Sequence, residues 1–165
     1  MMTDSLSPQA VLAALPELPE LTLEAANVLF GATWQASHVR LVALRPDAGA
    51  APALLLAFAL ANNPAAETAP ETWLPNTIFR VATKDELIGQ VGQALDDLAE
   101  APERPNEALA AALARLRPDE ARDIYAIEPD LDRPPPREPY EYGPTEQLFW
   151  TSGGWFHYLE VHHES

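Results

Sequence analysis

The chain of 165 residues carries 25 acidic side chains against 10 basic ones, a formal net charge of -15, and its length suits one domain. A single lysine, Lys84, and nine scattered arginines argue against the phosphate neutralisation that direct nucleic-acid binding needs. The absence of cysteine excludes disulfides, thiol nucleophiles and Cys-ligated metal centres, while an apolar fraction of 47% argues against wholesale disorder.

Residues 1–8 hold Asp4 and no basic residue, so no secretory signal is expected. The most apolar run, residues 50–61, falls short of the ~20 residues that span a bilayer. A cytoplasmic protein without membrane contact is therefore expected.

Ser7 as N-cap and Pro8 at the first helical position predict a short helix that ends by Leu15, ahead of Pro16 and Pro19. Residues 22–30 suit a helix terminated by Gly31 or a strand equally well. Alternation in residues 38–44 predicts a strand. Residues 53–61 read as a returning strand, apolar on both faces and so central in the sheet, and 62–76 as a surface loop. A further strand is predicted over 77–82. The clearest helix follows, opened by a Thr83–Glu86 capping box and carrying Leu87, Ile88, Val91, Leu95 and Leu98 at helical spacing. Gly89 and Gly92 within it are expected to admit a closely packed neighbour. Asn106 should cap another helix with Leu109, Leu113 and Leu116 on one face, stopped by Pro118.

Residues 122–128 read as a short strand. Residues 129–144 contain six prolines in sixteen positions, an extended connection unsuited to a sheet interior. The last segment is a hairpin, 145–152 and 155–163, turning on Gly153-Gly154. That register sets Trp150 opposite His157 and Leu148 opposite Leu159. It places Phe149, Phe156 and Tyr158 on the face opposite Trp150 and Trp155.

The fold class expected is α+β: one domain over 1–165, an antiparallel sheet of about five strands, and two or three helices packed on one face, among them 84–100 and 106–117. The acid excess is uneven, with seven acids and three bases over 1–83 but eighteen and seven over 84–165, which predicts an acidic side.

Residues with catalytic potential are few. His157, Glu160, His162 and His163 cluster near the C-terminus, but on a strand His157 and His163 share one face while Glu160 and His162 share the other. Glu160 and His162 give two ligands, and His38 adds a third only if folding delivers it. The competing expectation is that His157 packs on Trp150 while His162 and His163 fray. Asp119 and Asp123 hold i,i+4 spacing for a hard cation, yet a solvated acidic face is the commoner meaning. Ser37 and His38 are strand neighbours pointing to opposite faces, and no phosphate-binding glycine loop is present. No catalytic residue, metal or cofactor is therefore assigned. The expectation is a non-enzymatic acidic module (adaptor, small chaperone, inhibitor or immunity type) engaging a basic or amphipathic protein. Asp96, Asp97 and Glu100 with Phe149, Trp155, Phe156 and Tyr158 are its expected contacts. A metal-dependent or pocket enzyme on the terminal His/Glu cluster and a nucleic-acid mimic are the alternatives. A homodimer is expected too, because a hairpin with aromatics on both faces must cover one of them.

Overall fold

A computed structural model of the chain describes residues 6–33, 37–63, 66, 69–101, 106–132 and 145–163. Six strands form one sheet: β1 (Leu23–Ala32), β2 (His38–Pro46), β3 (Thr77–Val81), β4 (Arg122–Pro129), β5 (Thr145–Ser152) and β6 (Trp155–His162). Their order is β1-β2-β6-β5-β4-β3, and every neighbouring pair is antiparallel. Five helices accompany them among the described residues: α1 (Pro8–Ala14), α2 (Pro52–Ala61), α3 (Pro70–Trp73), α4 (Lys84–Ala99) and α5 (Glu107–Ala114). The fold is α+β, as expected, with one strand more. None of these helices is long and apolar enough to cross a membrane.

Three local signals hold, while Asn106 stands at the N-cap of α5 with no side-chain capping bond and donates from Nδ2 to the Ala32 carbonyl at 3.3 Å. Ser7 Oγ accepts the Ala10 N–H at 3.1 Å and Pro8 opens α1. In the capping box Thr83 Oγ1 accepts the Glu86 N–H while a Glu86 carboxylate oxygen accepts the Thr83 N–H. The hairpin turns on Gly153 and Gly154 at φ of +57° and +83°, the left-handed backbone of a type I′ turn. Its register pairs Trp150 with His157 and Leu148 with Leu159.

Residues 53–61 are helix α2, where a central strand was expected. The run is built from Ala, Leu and one Phe behind Pro52 and contains no β-branched residue, a composition that favours helix. It is apolar all round because one side packs on the sheet and the other meets α1. Residues 23–32, ambiguous in sequence, supply the strand instead. The expected surface loop over 62–76 contains α3, whose Trp73 is buried, followed by a 3₁₀ turn with Leu74 wholly buried. The Pro-rich segment beyond Asp132, 133–144, lies outside the described residues.

Helices cover both faces of the sheet. Leu87, Val91 and Ala94 of α4 and Leu109 and Leu113 of α5 pack on Leu41, Leu148, Trp150, Leu159 and Val161, the single face expected for these two helices. On the opposite face, α1 and α2 pack on Val42, Leu44, Phe149, Phe156 and Tyr158. This second helical layer explains the aromatics on both hairpin faces, since β5 and β6 lie in the middle of the sheet and not at its margin.

The expectation for Gly89 and Gly92 is corrected: a Cβ at either would meet nothing within 4 Å. The close approach occurs at Gly31 in β1, where a Cβ would stand 2.7 Å from Leu109 Cδ2 and 2.9 Å from Asn106 Cγ. Gly31 thus lets α5 seat against the sheet. Asp119 and Asp123 do not share a helix either. Asp119 lies in a 3₁₀ turn, and Asp123 sits at φ +52° in β4, where the pairing with β5 shifts register.

Candidate functional site

Two polar regions stand out, one inside the protein and one on its surface. The inner one arises because β2 and β6 each place polar residues at alternate positions on the face carrying α2. His38 lies opposite His162 and Arg40 opposite Glu160, at exposures of 4% or less. The Glu160 carboxylate is the hub. Its Oε2 meets His38 Nε2 at 2.6 Å and Arg40 Nε at 3.8 Å. Its Oε1 receives Asn63 Nδ2 at 3.4 Å and stands 2.8 Å from the Tyr158 hydroxyl.

That hydroxyl also lies 2.6 Å from Gln147 Oε1. One phenolic proton serves one acceptor at a time, so the Tyr158 hydroxyl is shared between Gln147 Oε1 and Glu160 Oε1. Arg40 faces the other way as well, donating from Nη2 to the Ala59 carbonyl at 2.7 Å and from Nη1 to the Asn62 carbonyl at 3.2 Å. These carbonyls close the C-terminus of α2, where a cation is favourable. The guanidinium carbon also stands 5.1 Å from the Tyr158 ring centre. The cluster therefore fastens α2 to the sheet.

The structure brings His38, Glu160 and His162 together, as the enzyme alternative required. The His38 and His162 rings lie 5.3 Å apart, and His162 Nδ1 meets Thr145 Oγ1 at 2.8 Å. Among the described residues, however, no three His, Asp or Glu side chains are placed to hold a metal ion. His162 is a buried strand residue and not a frayed end, while His163 reaches Asp97 at 3.4 Å. His157 points to the opposite face and stacks on Trp150 at 5.2 Å. Burial lowers its pKa from 6.5 to about 4, so the ring is neutral at physiological pH.

Asp96 on α4 and Glu100 at its C-cap are exposed, as the helical spacing predicted. Asp97 is nearer the surface of the core and also accepts from Gln93 at 2.8 Å. Trp155 is half-buried. Phe149, Phe156 and Tyr158, expected to meet a partner, are 0–2% exposed in the α1–α2 core. Their contacts are with this chain's own interior, because neighbours flank the hairpin on both sides.

The surface region is a groove of about 860 Å³ at the end of β3, β4 and β5 beside the first turns of α4. Ile78, Ala126, Ile127, Leu131 and Leu148 provide apolar lining, with Ile78 45% and Leu131 91% exposed. Five carboxylates, Glu86, Glu128, Asp130, Asp132 and Glu146, stand against one guanidinium, Arg80. Arg80 grips Glu86 through both terminal nitrogens, at 2.7 and 3.2 Å, and Glu128 through Nε at 2.9 Å. The Arg80 bonds, with help from the Thr83 N–H, pull the Glu86 carboxyl down to about 2, and the two carboxylates raise Arg80 in turn. Asp130, Asp132 and Glu146 also line the groove, with Asp130 Oδ1 accepting the Asp132 N–H at 3.0 Å.

The sequence reading missed both Arg40 and this groove. For Arg40 a signal exists: His38 and Arg40 alternate with Val39 and Leu41 in β2, as Glu160 does with Leu159 and Val161 in β6. Opposite charges at inward positions of two strands point to one buried pair. No such signal marks the groove, which joins residues 78–90 to 126–132 and 145–148. Comparison with protein-family models, curated proteins and solved structures finds no match to this chain.

Proposed function

We propose that this protein is a non-enzymatic, acidic protein-binding module of the cytoplasm that engages a basic, amphipathic segment of a partner protein. One observation carries the reading: the groove combines exposed apolar side chains with five carboxylates and one guanidinium, Arg80. Apolar lining supplies burial energy, and the carboxylate rim selects and steers a cationic partner. Asp96, exposed on the same helix as the groove residues Glu86 and Gln90, and Glu100 at that helix's C-cap extend the acidic field.

The test uses a fluorescent Lys/Leu amphipathic peptide, titrated by anisotropy at low and high salt. A triple variant, Asp130→Asn, Asp132→Asn and Glu146→Gln, is compared with Glu17→Gln, Glu20→Gln and Asp47→Asn, which removes equal charge elsewhere. Weaker binding by the groove variant alone supports the proposal. Equal affinities for the two variants would show that only net charge matters and would overturn it.

The enzyme alternative draws on the meeting of His38, Glu160 and His162, but their polar atoms are engaged with one another and with Thr145, Tyr158 and Arg40. This side-chain bonding supports a structural role for the cluster. The homodimer needs a different basis from the one the sequence suggested, since α1, α2, α4 and α5 cover both hairpin faces.

A further inference from the structure

We propose that two copies of the chain pair along β1, antiparallel about a two-fold axis at Val28, to join their sheets into one. Among the described residues β1 is an end strand of the sheet, so one side of its backbone has no sheet neighbour. Natural edges are commonly blunted by shortness, proline, lysine or a bulge. The opposite edge, β3, is five residues long and carries Arg80. β1 is twice that length, with neither proline nor a basic residue; its one register shift falls at its start, between Leu23 and Ala25, and Val28 and Phe30 further along are 41% and 40% exposed.

The choice of a second copy over a foreign strand rests on charge and register. Glu24 is the strand's sole charge and is paired with Arg45 at 3.1 Å. In a chain of net charge -15, the stretch 25–32 has been kept uncharged, so it offers a cationic peptide nothing to recognise. Two-fold antiparallel pairing preserves the face of each side chain, so the axis must fall on a residue. With the axis at Val28, each Val28 faces its mate and each Ala26 faces Phe30; the ladder stops short of the register shift at Glu24 and of the Ala32 carbonyl, which accepts from Asn106 Nδ2 at 3.3 Å. The small Ala26 accommodates the large ring, and the two Glu24 residues lie eight positions apart, roughly 26 Å. That exceeds the Debye length of about 10 Å at 0.1 M salt. An axis at Asn27 would instead set Glu24 against Phe30. The Phe30 ring is already held against His38, at 5.1 Å between ring centres.

Sedimentation equilibrium over a wide concentration range tests the pairing, and higher salt should strengthen it by screening the two acidic bodies. This is the opposite of the salt response expected for the groove, so the two proposals fail separately. Val28→Lys sets like charges against each other at the axis and should raise the dimer dissociation constant by about tenfold or more. Val81→Lys on β3, 72% exposed, should leave it unchanged. The chain has no cysteine, so Val28→Cys is a clean second probe. Its facing Cα atoms, about 4.5–5.5 Å apart, lie within disulfide range, and it should cross-link under mild oxidation where Ala32→Cys does not. A wild-type monomer at every concentration, or a dimer that survives Val28→Lys, would overturn the proposal.

Discussion

Acid should destabilise the wild-type protein more than a His157→Phe variant. The His157 ring stacks on Trp150, and its Nδ1 has no hydrogen-bond partner among the described residues. Burial alone lowers its pKa from 6.5 to about 4. A depressed histidine pKa means that the unfolded chain takes up the proton first. The stabilisation is fully present above about pH 6.5 and is lost as pH falls towards 4, after which both states are protonated. The full loss corresponds to roughly 3 kcal/mol, and about 2 kcal/mol of it should be gone by about pH 5. For a domain of this size that lowers Tm by roughly 4–8 °C. Phenylalanine keeps the stack and removes both the titration and the unpartnered nitrogen. Thermal melts of the two proteins at neutral pH and at about pH 5 measure the difference directly. If both lose the same Tm between those conditions, the ring is not held neutral by burial and the reasoning fails.

Arg40→Ala should cost about 3–5 kcal/mol in chemical denaturation, because it leaves the Glu160 carboxylate buried without its cation and frees the Ala59 and Asn62 carbonyls. The double change Arg40→Met, Glu160→Gln should destabilise less than the sum of its single changes, the sign of direct coupling. Gly31→Ala forces the 2.7 Å contact with the buried Leu109 and should cost about 1–3 kcal/mol. Gly92→Ala, exposed in α4 with open space around it, should stabilise by about 0.5–1 kcal/mol. Urea melts that rank the two alanines the other way would refute the assignment of close approach to β1.

Elements whose signals are local were legible from residue order alone. Ser7 with Pro8, Thr83 with Glu86, and Gly153 with Gly154 satisfy or shape backbone groups within a few residues, so nearest neighbours decide them. Hairpin register followed from the turn, and with it the Trp150–His157 stack. The net negative charge followed from counting. Other features depended on partners distant in the chain. Residues 53–61 are apolar on every side, which periodicity reads as a central strand; their composition favours helix, and the all-round apolar surface is covered by the sheet on one side and α1 on the other. Residues 23–32 became a strand because β2 offered an edge. Phe149, Phe156 and Tyr158 pass from surface to interior only because β2 and β4 flank the hairpin and α1 and α2 cover it. His38 and Glu160 are 122 residues apart and meet at 2.6 Å. Such a pairing stabilises nothing until the sheet is assembled, because hydrogen bonds and charges act over a few ångströms while periodicity carries only each segment's own preference.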